Sequence, residues 1–380
     1  MSRLKKGILE AFILLVLLAI LLKLVEYWTG VNPVNNIFEK KNALGSIQEV
    51  AAMLTNELEG GTDGKVSCYI KDVSEEELKN INYIMSNLNG SVDSFQIHPK
   101  IFGCQKVVFT IARSDNSYVY DAYKNDVPIP DEKKDAQVLL ERVVKILKKT
   151  VSPTMTEYQK ELALHDYLVE NCVYSSGSPD NDNEFRAYGA LVEGQAVCNG
   201  YAEAMALLLS CAGVENQYVV GTADSGSRDH SSDSEKNTEH RENHAWNLVK
   251  INGYWYHMDA TWDDPVGEED ILSHAYFNMS DELMERDHTW DKEKYTPCTD
   301  MNWNYFRYEH AYFENPSDLG DYLTEKLTIK PYGSLECAVS TFQINEYTLK
   351  GIYGVPGISS IFYSTVGNEK FTVLTLYVRQ

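Results

Sequence analysis

The sequence predicts an α+β protein whose central feature is a helix that begins at a cysteine and packs against an antiparallel sheet. Three observations support this fold class. A cysteine precedes an apolar helical run in GQAVCNGYAEAMALLLSCAGV, and an Asn-Gly pair joins two extended runs in NHAWNLVKINGYWYHMDATWDDP. The flanking segments indicate a small α+β domain before this core and a β-rich unit after it.

Size and composition narrow the classes of protein to which the chain can belong. Its 380 residues exceed one compact core, so we expect two or three folded units in addition to the N-terminus. The 43% hydrophobic and 24% charged residues indicate a folded chain. A net charge of -22 disfavours nucleic-acid partners, because polyanion binding depends on clustered Lys and Arg. The seven cysteines form no CxxC pair, which argues against a zinc knuckle or a disulfide scaffold.

Residues 1–30 predict a single transmembrane anchor. Residues 8–25 are apolar apart from Glu10 and Lys23, basic residues precede them, and Tyr27 and Trp28 follow at the level of the lipid headgroups. The basic residues keep the N-terminus in the cytoplasm and place the body of the protein outside it. A cleaved signal peptide is the alternative, in which case the protein would be secreted.

Residues 31–128 predict a small α+β domain. KVSCYIK, KVVFTIAR and SYVYDAYK have the patterns of strands, whereas SEEELKNINYIMSNL is typical of a helix with Ser74 as N-cap and Glu77 three positions later. The segment DVPIPD interrupts the pattern, so we expect a domain boundary there.

Residues 129–304 predict a second and larger domain, and residues 305–380 predict a β-rich C-terminal unit. The former opens with two helices, DEKKDAQVLLERVVKILKKT and MTEYQKELALHDYLVENC, and contains a long polar stretch at residues 222–243 that is typical of a lid or a disordered loop. The latter contains a short helix at SDLGDYLTEK and strand patterns in TFQINEYTLKGIY and KFTVLTLYVRQ.

Cys198 is the candidate nucleophile. It stands between glycines at the start of a helix whose apolar positions surround the axis until Gly213, which makes the helix central and buried. The N-terminus of a helix offers free N–H groups and the positive end of the macrodipole, both of which favour a thiolate. Packing is the alternative role of a cysteine, and we expect it for Cys211 in the same helix.

The Asn252-Gly253 turn predicts where two further polar residues meet. If Ile251 pairs with Tyr254 across the turn, His244 and Asp259 lie on one face of the hairpin as diagonal neighbours. An imidazole held by a carboxylate is the base and orienting group of a triad, which requires only a thiol at the other ring nitrogen.

The chain has a cysteine at a helix start in AVCNGYA, then a histidine in NHAWNLV and then an aspartate in HMDATWDDP. This order resembles that of the transglutaminase-like superfamily, which shares the papain-like arrangement of helix against sheet. The resemblance covers roughly residues 155 to 290. It implies that Cys198, His244 and Asp259 form a catalytic triad that acts on amide bonds of proteins or peptides through a thioester. Transfer, deamidation, peptide hydrolysis and inactive binding versions are all compatible with the resemblance.

Further candidates surround this triad. The backbone N–H of Cys198 is expected to stabilise an oxyanion, with Gln195 or Tyr188 as a second donor. The aromatic rings of Trp246, Trp255 and Trp262 are candidates for the walls of a substrate cleft.

We expect no cofactor and no metal. His230, His240 and His244 match no compact ligand spacing, and SPDNDNE lacks the spacing of a calcium loop. The main alternative to an enzyme is a binding or scaffold protein at the cell envelope that keeps the fold without turnover.

Overall fold

A computed structural model describes residues 3–85, 89–175, 181–224, 241–265, 272–330, 333–340, 344, 349, 352, 355–368 and 371–379. It divides into two compact units, Met1–Tyr118 and Val119–Gln380. His230, His240, most of the polar stretch around them and most of TFQINEYTLKGIY lie outside the described residues.

The first unit combines a three-stranded sheet with helices. Its elements are α1 (Arg3–Thr29), α2 (Pro33–Glu39), α3 (Ile47–Glu59), β1 (Gly64–Ile70), α4 (Glu75–Lys79), α5 (Ile81–Met85), β2 (Gly90–Ile97), β3 (Gln105–Arg113) and α6 (Asp115–Asn125), which continues into the second unit. The strand order is β1-β3-β2, with antiparallel pairs. Apolar residues of α3 and β3, such as Leu54 and Phe109, share one buried core.

Helix α1 bears on the predicted anchor. Over Lys6–Thr29 it is long and apolar enough to cross a bilayer, and among the described residues no other helix meets this condition. Its length and composition fit either a membrane anchor or a signal sequence.

Two local predictions for the first unit have opposite outcomes. The capping box of α4 is confirmed, because the Ser74 hydroxyl accepts the N–H of Glu77 and the Glu77 carboxylate accepts the N–H of Ser74. The strand predicted at SYVYDAYK is wrong, since these residues lie in α6. The Ser114 hydroxyl accepts the N–H of Ser117 at 3.2 Å, and this cap outweighs the β propensity of the tyrosines and valine.

The second unit contains the cysteine helix and two four-stranded sheets. Its elements are α7 (Lys134–Thr150), α8 (Glu157–Asn171), β4 (Val173–Tyr174), β5 (Gln195–Ala196), α9 (Cys198–Ala212), β6 (Asn216–Asp224), β7 (Arg241–Ile251), β8 (Tyr254–Met258), α10 (Asp281–Met284), β9 (His288–Trp290), α11 (Tyr305–Tyr308), β10 (Tyr312–Phe313), α12 (Pro316–Ile329), β11 (Gly333–Val339), β12 (Ser360–Asn368) and β13 (Phe371–Arg379). The α+β fold class is confirmed.

The central sheet has the strand order β8-β7-β6-β9, and all its pairs are antiparallel. Helix α9 packs on β6 and β7. The predicted register of the hairpin is confirmed, because Ile251 pairs with Tyr254 and both turn residues have positive φ, 54° at Asn252 and 90° at Gly253. The hairpin therefore presents His244 and Asp259 on the same side of the sheet.

The C-terminal sheet has the strand order β10-β11-β13-β12. It shares one hydrophobic core with the central sheet, in which Val219 and Trp246 of the central sheet are grouped with Val373 and Leu374 of β13. Burial of this common apolar surface joins the two sheets within the second unit. The domain boundaries placed by sequence pattern, at residues 128 and 304, stay predictions.

Candidate active site

Cys198 is the first residue of α9 and is partly exposed, whereas most of the helix behind it is buried. Val197, which caps the helix, has an extended backbone and gives no side-chain acceptor to the first turn. The first N–H groups of α9 are therefore aligned at Cys198 without competition from a capping side chain, an arrangement that favours negative charge on the sulfur.

His244 lies between this thiol and a buried carboxylate. Its Nε2–H donates to Asp259 Oδ2 at 2.7 Å, and the Cys198 side chain lies close enough to the ring to act on it electrostatically. The second oxygen of Asp259 accepts the N–H groups of Thr261 and Trp262 at 3.0 and 3.2 Å. The carboxylate is thus fixed by its own turn, and it fixes the imidazole.

The charges of this pair are coupled. Burial by itself would lower the pKa of His244, but the Asp259 carboxylate, with a smaller contribution from Cys198, raises the pKa to about 10. Burial would raise the pKa of Asp259, but the imidazoles of His244 and His288 hold it well below its usual range. The pair therefore favours a protonated ring next to an ionised carboxylate.

His288 is a second imidazole on the same carboxylate, which the sequence analysis missed. Its Nε2 lies 3.1 Å from Asp259 Oδ2, and its Nδ1 lies 2.6 Å from Asp287 Oδ1. Strand β9 brings it there by pairing with β6, where a Cβ on Gly221 would meet Thr289 O at 2.2 Å. Only glycine allows this close approach of the two strands.

Tyr218 is another neighbour that the sequence analysis missed. Its hydroxyl donates to the Asn199 side chain, next to Cys198 along the chain. Burial raises the pKa of Tyr218 well above its usual range, and the negative charge of Glu203 acts in the same direction. The phenol therefore keeps its proton beside Cys198. The pattern of apolar and polar residues in β6 does not indicate that Tyr218 lies beside Cys198.

The three predicted cleft tryptophans lie in different surroundings. Trp246 is 1% exposed, stacks on His244 with ring centroids 5.9 Å apart and donates Nε1–H to His257 Nδ1. Trp262 is 9% exposed and lies 5.8 Å from the His244 ring. Trp255 is half-buried against the shared core. Trp246 and Trp262 enclose the imidazole, and contact of any of the three with a substrate stays a prediction.

The two predicted oxyanion side chains lie on the segment that precedes α9. Gln195 is exposed on β5, and its Nε2–H donates to Glu184 Oε1 at 3.3 Å. Tyr188 is half-buried and precedes a π-helical turn at Gly189–Glu193. Their role as oxyanion donors stays a prediction.

Comparison with known proteins identifies the domain that holds this site. Residues 144–260 match the family model described as the transglutaminase-like superfamily, a range that includes Cys198, His244 and Asp259. The protein carries a transglutaminase-like domain. The motif resemblance read from the sequence is thereby confirmed for this part of the chain.

Three solved structures are similar to the chain over about half its length. One is a TGase, with 13% identity, a TM-score of 0.28 and coverage of 54% of this chain and 52% of that structure. The second is a putative cysteine protease from Cytophaga hutchinsonii, with 14% identity, a TM-score of 0.25 and coverage of 53% and 67%.

The third is the periplasmic domain of TgpA from Pseudomonas aeruginosa bound to ethylmercury, with 14% identity, a TM-score of 0.24 and coverage of 52% and 72%. The chain therefore spans about half the length of the first of these structures. Such scores describe a partial likeness and carry no argument about function. No curated protein sequence matches the chain.

Proposed function

We propose that the transglutaminase-like domain catalyses thiol-dependent acyl transfer on amide bonds of proteins or peptides. Cys198 acts as the nucleophile, His244 as the acid and base, and Asp259 as the group that orients the imidazole. The observation that carries the proposal is the position of His244, which is hydrogen-bonded to the buried Asp259 carboxylate and lies close enough to Cys198, at the start of α9, for the two side chains to interact electrostatically.

The raised pKa of His244 indicates how the reaction begins. Because the Asp259 carboxylate favours the protonated form of the ring, His244 is suited to take the proton of the Cys198 thiol. The thiolate attacks the amide carbonyl, a C–S bond forms, and the C–N bond breaks as His244 protonates the leaving amine. The neutral imidazole then removes a proton from the second substrate, which resolves the thioester.

The second substrate determines the product. Water yields a carboxylate, and therefore deamidation or peptide hydrolysis, whereas a primary amine yields a new amide. Incubation with a dye-labelled amine and a glutamine-rich protein distinguishes these reactions, because only transfer attaches the dye. Helix α1 supports an anchored protein with its domain outside the cytoplasm, where the substrate would be a protein or peptide of the cell envelope.

Selective alkylation tests the proposed nucleophile. Iodoacetamide at pH 6 to 7 is expected to label Cys198 far faster than any other cysteine, because Cys198 is partly exposed at the start of α9 and lies beside the His244 ring, whose pKa is raised to about 10. Burial raises the pKa of the other thiols, to about 11 for Cys68 and about 12 for Cys172 and Cys211, and also raises it for Cys104, Cys298 and Cys337.

Peptide mapping by mass spectrometry measures the labelling at each cysteine. His244→Gln serves as the matched variant, since it keeps a polar side chain but cannot form the imidazolium, and it is expected to lose the selectivity at pH 6. Labelling of Cys198 at the same slow rate as the six other thiols would instead support a scaffold protein that lacks turnover.

His288 is expected to act as a positioning residue in the same reaction. His288→Phe removes one donor from the Asp259 carboxylate, so we expect kcat to fall roughly tenfold to a hundredfold with little change in KM. His288→Gln keeps one N–H donor and is expected to recover part of the loss. Steady-state kinetics on both variants, with circular dichroism as a check of folding, measures this. A folded His288→Phe protein with unchanged kcat and an unchanged pH profile would exclude the role.

A further inference from the structure

A second group of buried histidines and carboxylates, which takes no part in the proposed reaction, lies where α8 meets β11. The histidine cluster consists of His165, Asp166, Asp263, His274 and Glu336. Both histidines are buried, at 0% and 5% exposure, and Asp263 is fully buried. These residues come from α8, from the segment after β8 and from β11, so no local sequence spacing reveals them.

The two rings of the cluster converge on one oxygen atom. His165 Nδ1 and His274 Nε2 each lie 3.0 Å from Asp166 Oδ1. The three atoms lie within 4.8 Å of one another, a separation that is compatible with three ligands of one metal ion. The ring of Tyr305 stacks on His274 at 3.7 Å between centroids and 4° between planes, which holds that imidazole in place.

The outer nitrogens of both rings are also occupied. His165 Nε2 lies 3.1 Å from Asp263 Oδ2, and His274 Nδ1 lies 2.9 Å from Glu336 Oε2. A carboxylate on the far nitrogen is the usual support of a histidine that binds a metal ion, because it fixes the tautomer and leaves the near nitrogen with a lone pair. Both rings of the cluster have this support.

The arrangement of the two rings also suits a metal ion at the centre of the cluster. When each ring donates its outer N–H to Asp263 or Glu336, a neutral imidazole has its remaining lone pair on the inner nitrogen, next to Asp166 Oδ1. The two inner nitrogens and the carboxylate oxygen then face one point.

The cluster around His257 shows the contrast. His257 Nδ1 accepts the N–H of Trp246 at 2.9 Å, and its Nε2 lies 2.8 Å from Asp281 Oδ1. One neutral imidazole with its proton on Nε2 satisfies both contacts, so this ring has no lone pair to offer a metal ion. The remaining group, His244, Asp259 and His288, is the proposed active site itself.

We infer that His165 Nδ1, His274 Nε2 and Asp166 Oδ1 bind a divalent transition-metal ion of the Zn²⁺ class. Two imidazoles and one carboxylate are nitrogen-rich ligands that suit such an ion better than Ca²⁺ or Mg²⁺. The Asp166 side chain is 31% exposed, so a water molecule can reach the fourth position. Asp263 and Glu336 support the ligands from behind.

The ion would have a structural effect that does not depend on the proposed acyl transfer. It would join α8 to the segment that follows β8 and, through Glu336, to β11 of the C-terminal sheet. Asp263 lies on the same segment as Asp259, and its backbone N–H donates to Asp259 O at 3.1 Å. Loss of the ion is therefore expected to loosen the segment that carries the triad carboxylate.

The test measures metal binding in the full-length chain in detergent, in a Cys198→Ala background so that the proposed nucleophile cannot hold the ion. After incubation with Zn²⁺ and dialysis, elemental analysis is expected to find about one zinc per chain, and Zn²⁺ is expected to raise the melting temperature by several degrees relative to EDTA. Co²⁺ in place of Zn²⁺ is expected to give visible absorption bands.

Two substitutions separate this cluster from the neighbouring one. Asp166→Asn, a change of similar shape at a partly exposed position, is expected to lose most of the bound zinc and the thermal shift. Asp281→Asn removes the carboxylate beside His257 instead and is expected to keep both. The inference is wrong if the parent protein with the intact cluster holds no zinc after incubation, or if the Asp166→Asn and parent proteins hold equal amounts of zinc. Both outcomes can be read whether or not acyl transfer occurs.

Discussion

Replacement of Cys198 by alanine is expected to reduce acyl transfer at least about a thousandfold, because no second thiol can take over the attack. Cys198 is the thiol at the start of α9, and burial raises the pKa of the other cysteines, including Cys172 and Cys211. Incorporation of a dye-labelled amine and the mass of candidate acceptor peptides measure transfer and deamidation in the same sample.

Cys211→Ala is the matched control for this substitution. Cys211 lies in the same helix and is 3% exposed, so its loss is expected to cost roughly 1 kcal/mol of unfolding free energy with transfer preserved. Loss of transfer in both variants would indicate that the helix, rather than the thiol, is what the reaction requires. Transfer that survives in Cys198→Ala would exclude the thioester.

The sequence was sufficient to predict that His244 and Asp259 meet, because their contact depends on one local feature. A two-residue Asn-Gly loop fixes the register of the hairpin, and the register brings His244 and Asp259 to the same side. Both ends of α9 are likewise visible in the local sequence. The apolar run begins at Cys198, and Gly213 marks the end of the helix.

The features that the sequence analysis missed depend on pairing between distant segments. His288 reaches Asp259 only because β9 pairs with β6, and no pattern within HTW indicates which strand it joins. The histidine cluster likewise requires three segments that are far apart along the chain. Strand pairing at long separation is set by the whole fold, which single-sequence periodicity does not contain.

Helix α6, for which the sequence pattern predicted a strand, shows a different limit of prediction from sequence. Tyr118 and its neighbours have β propensity, and a window of alternating aromatic residues favours a strand. One interaction that favours the helix is a hydrogen bond from the N–H of Ser117 to the Ser114 hydroxyl, which lies outside the aromatic window. Such a cap at the end of a segment, together with burial of Tyr118 and Val119, opposes the propensities within it.

Asp259→Asn is expected to lower kcat roughly 10³-fold to 10⁴-fold, since an amide neither carries the charge nor fixes the tautomer of His244. The same change removes the main cause of the raised pKa of His244 and leaves burial, which lowers it. The imidazolium is then lost at neutral pH, so iodoacetamide labelling of Cys198 at pH 6 is expected to fall towards the rate of an ordinary thiol.

The stability of the variant provides a second measurement. Asp259 receives hydrogen bonds from both His244 and His288, whereas His288 also keeps its contact with Asp287, so the amide is expected to weaken two buried hydrogen bonds at a cost of about 1 to 3 kcal/mol. Asp281→Asn is the matched control, because it removes a carboxylate from His257 within the same core, and it is expected to change stability but leave the labelling profile unchanged. If Asp259→Asn keeps the wild-type labelling rate at pH 6, the carboxylate does not control the charge of His244, and the thiolate must be stabilised by the start of α9 alone.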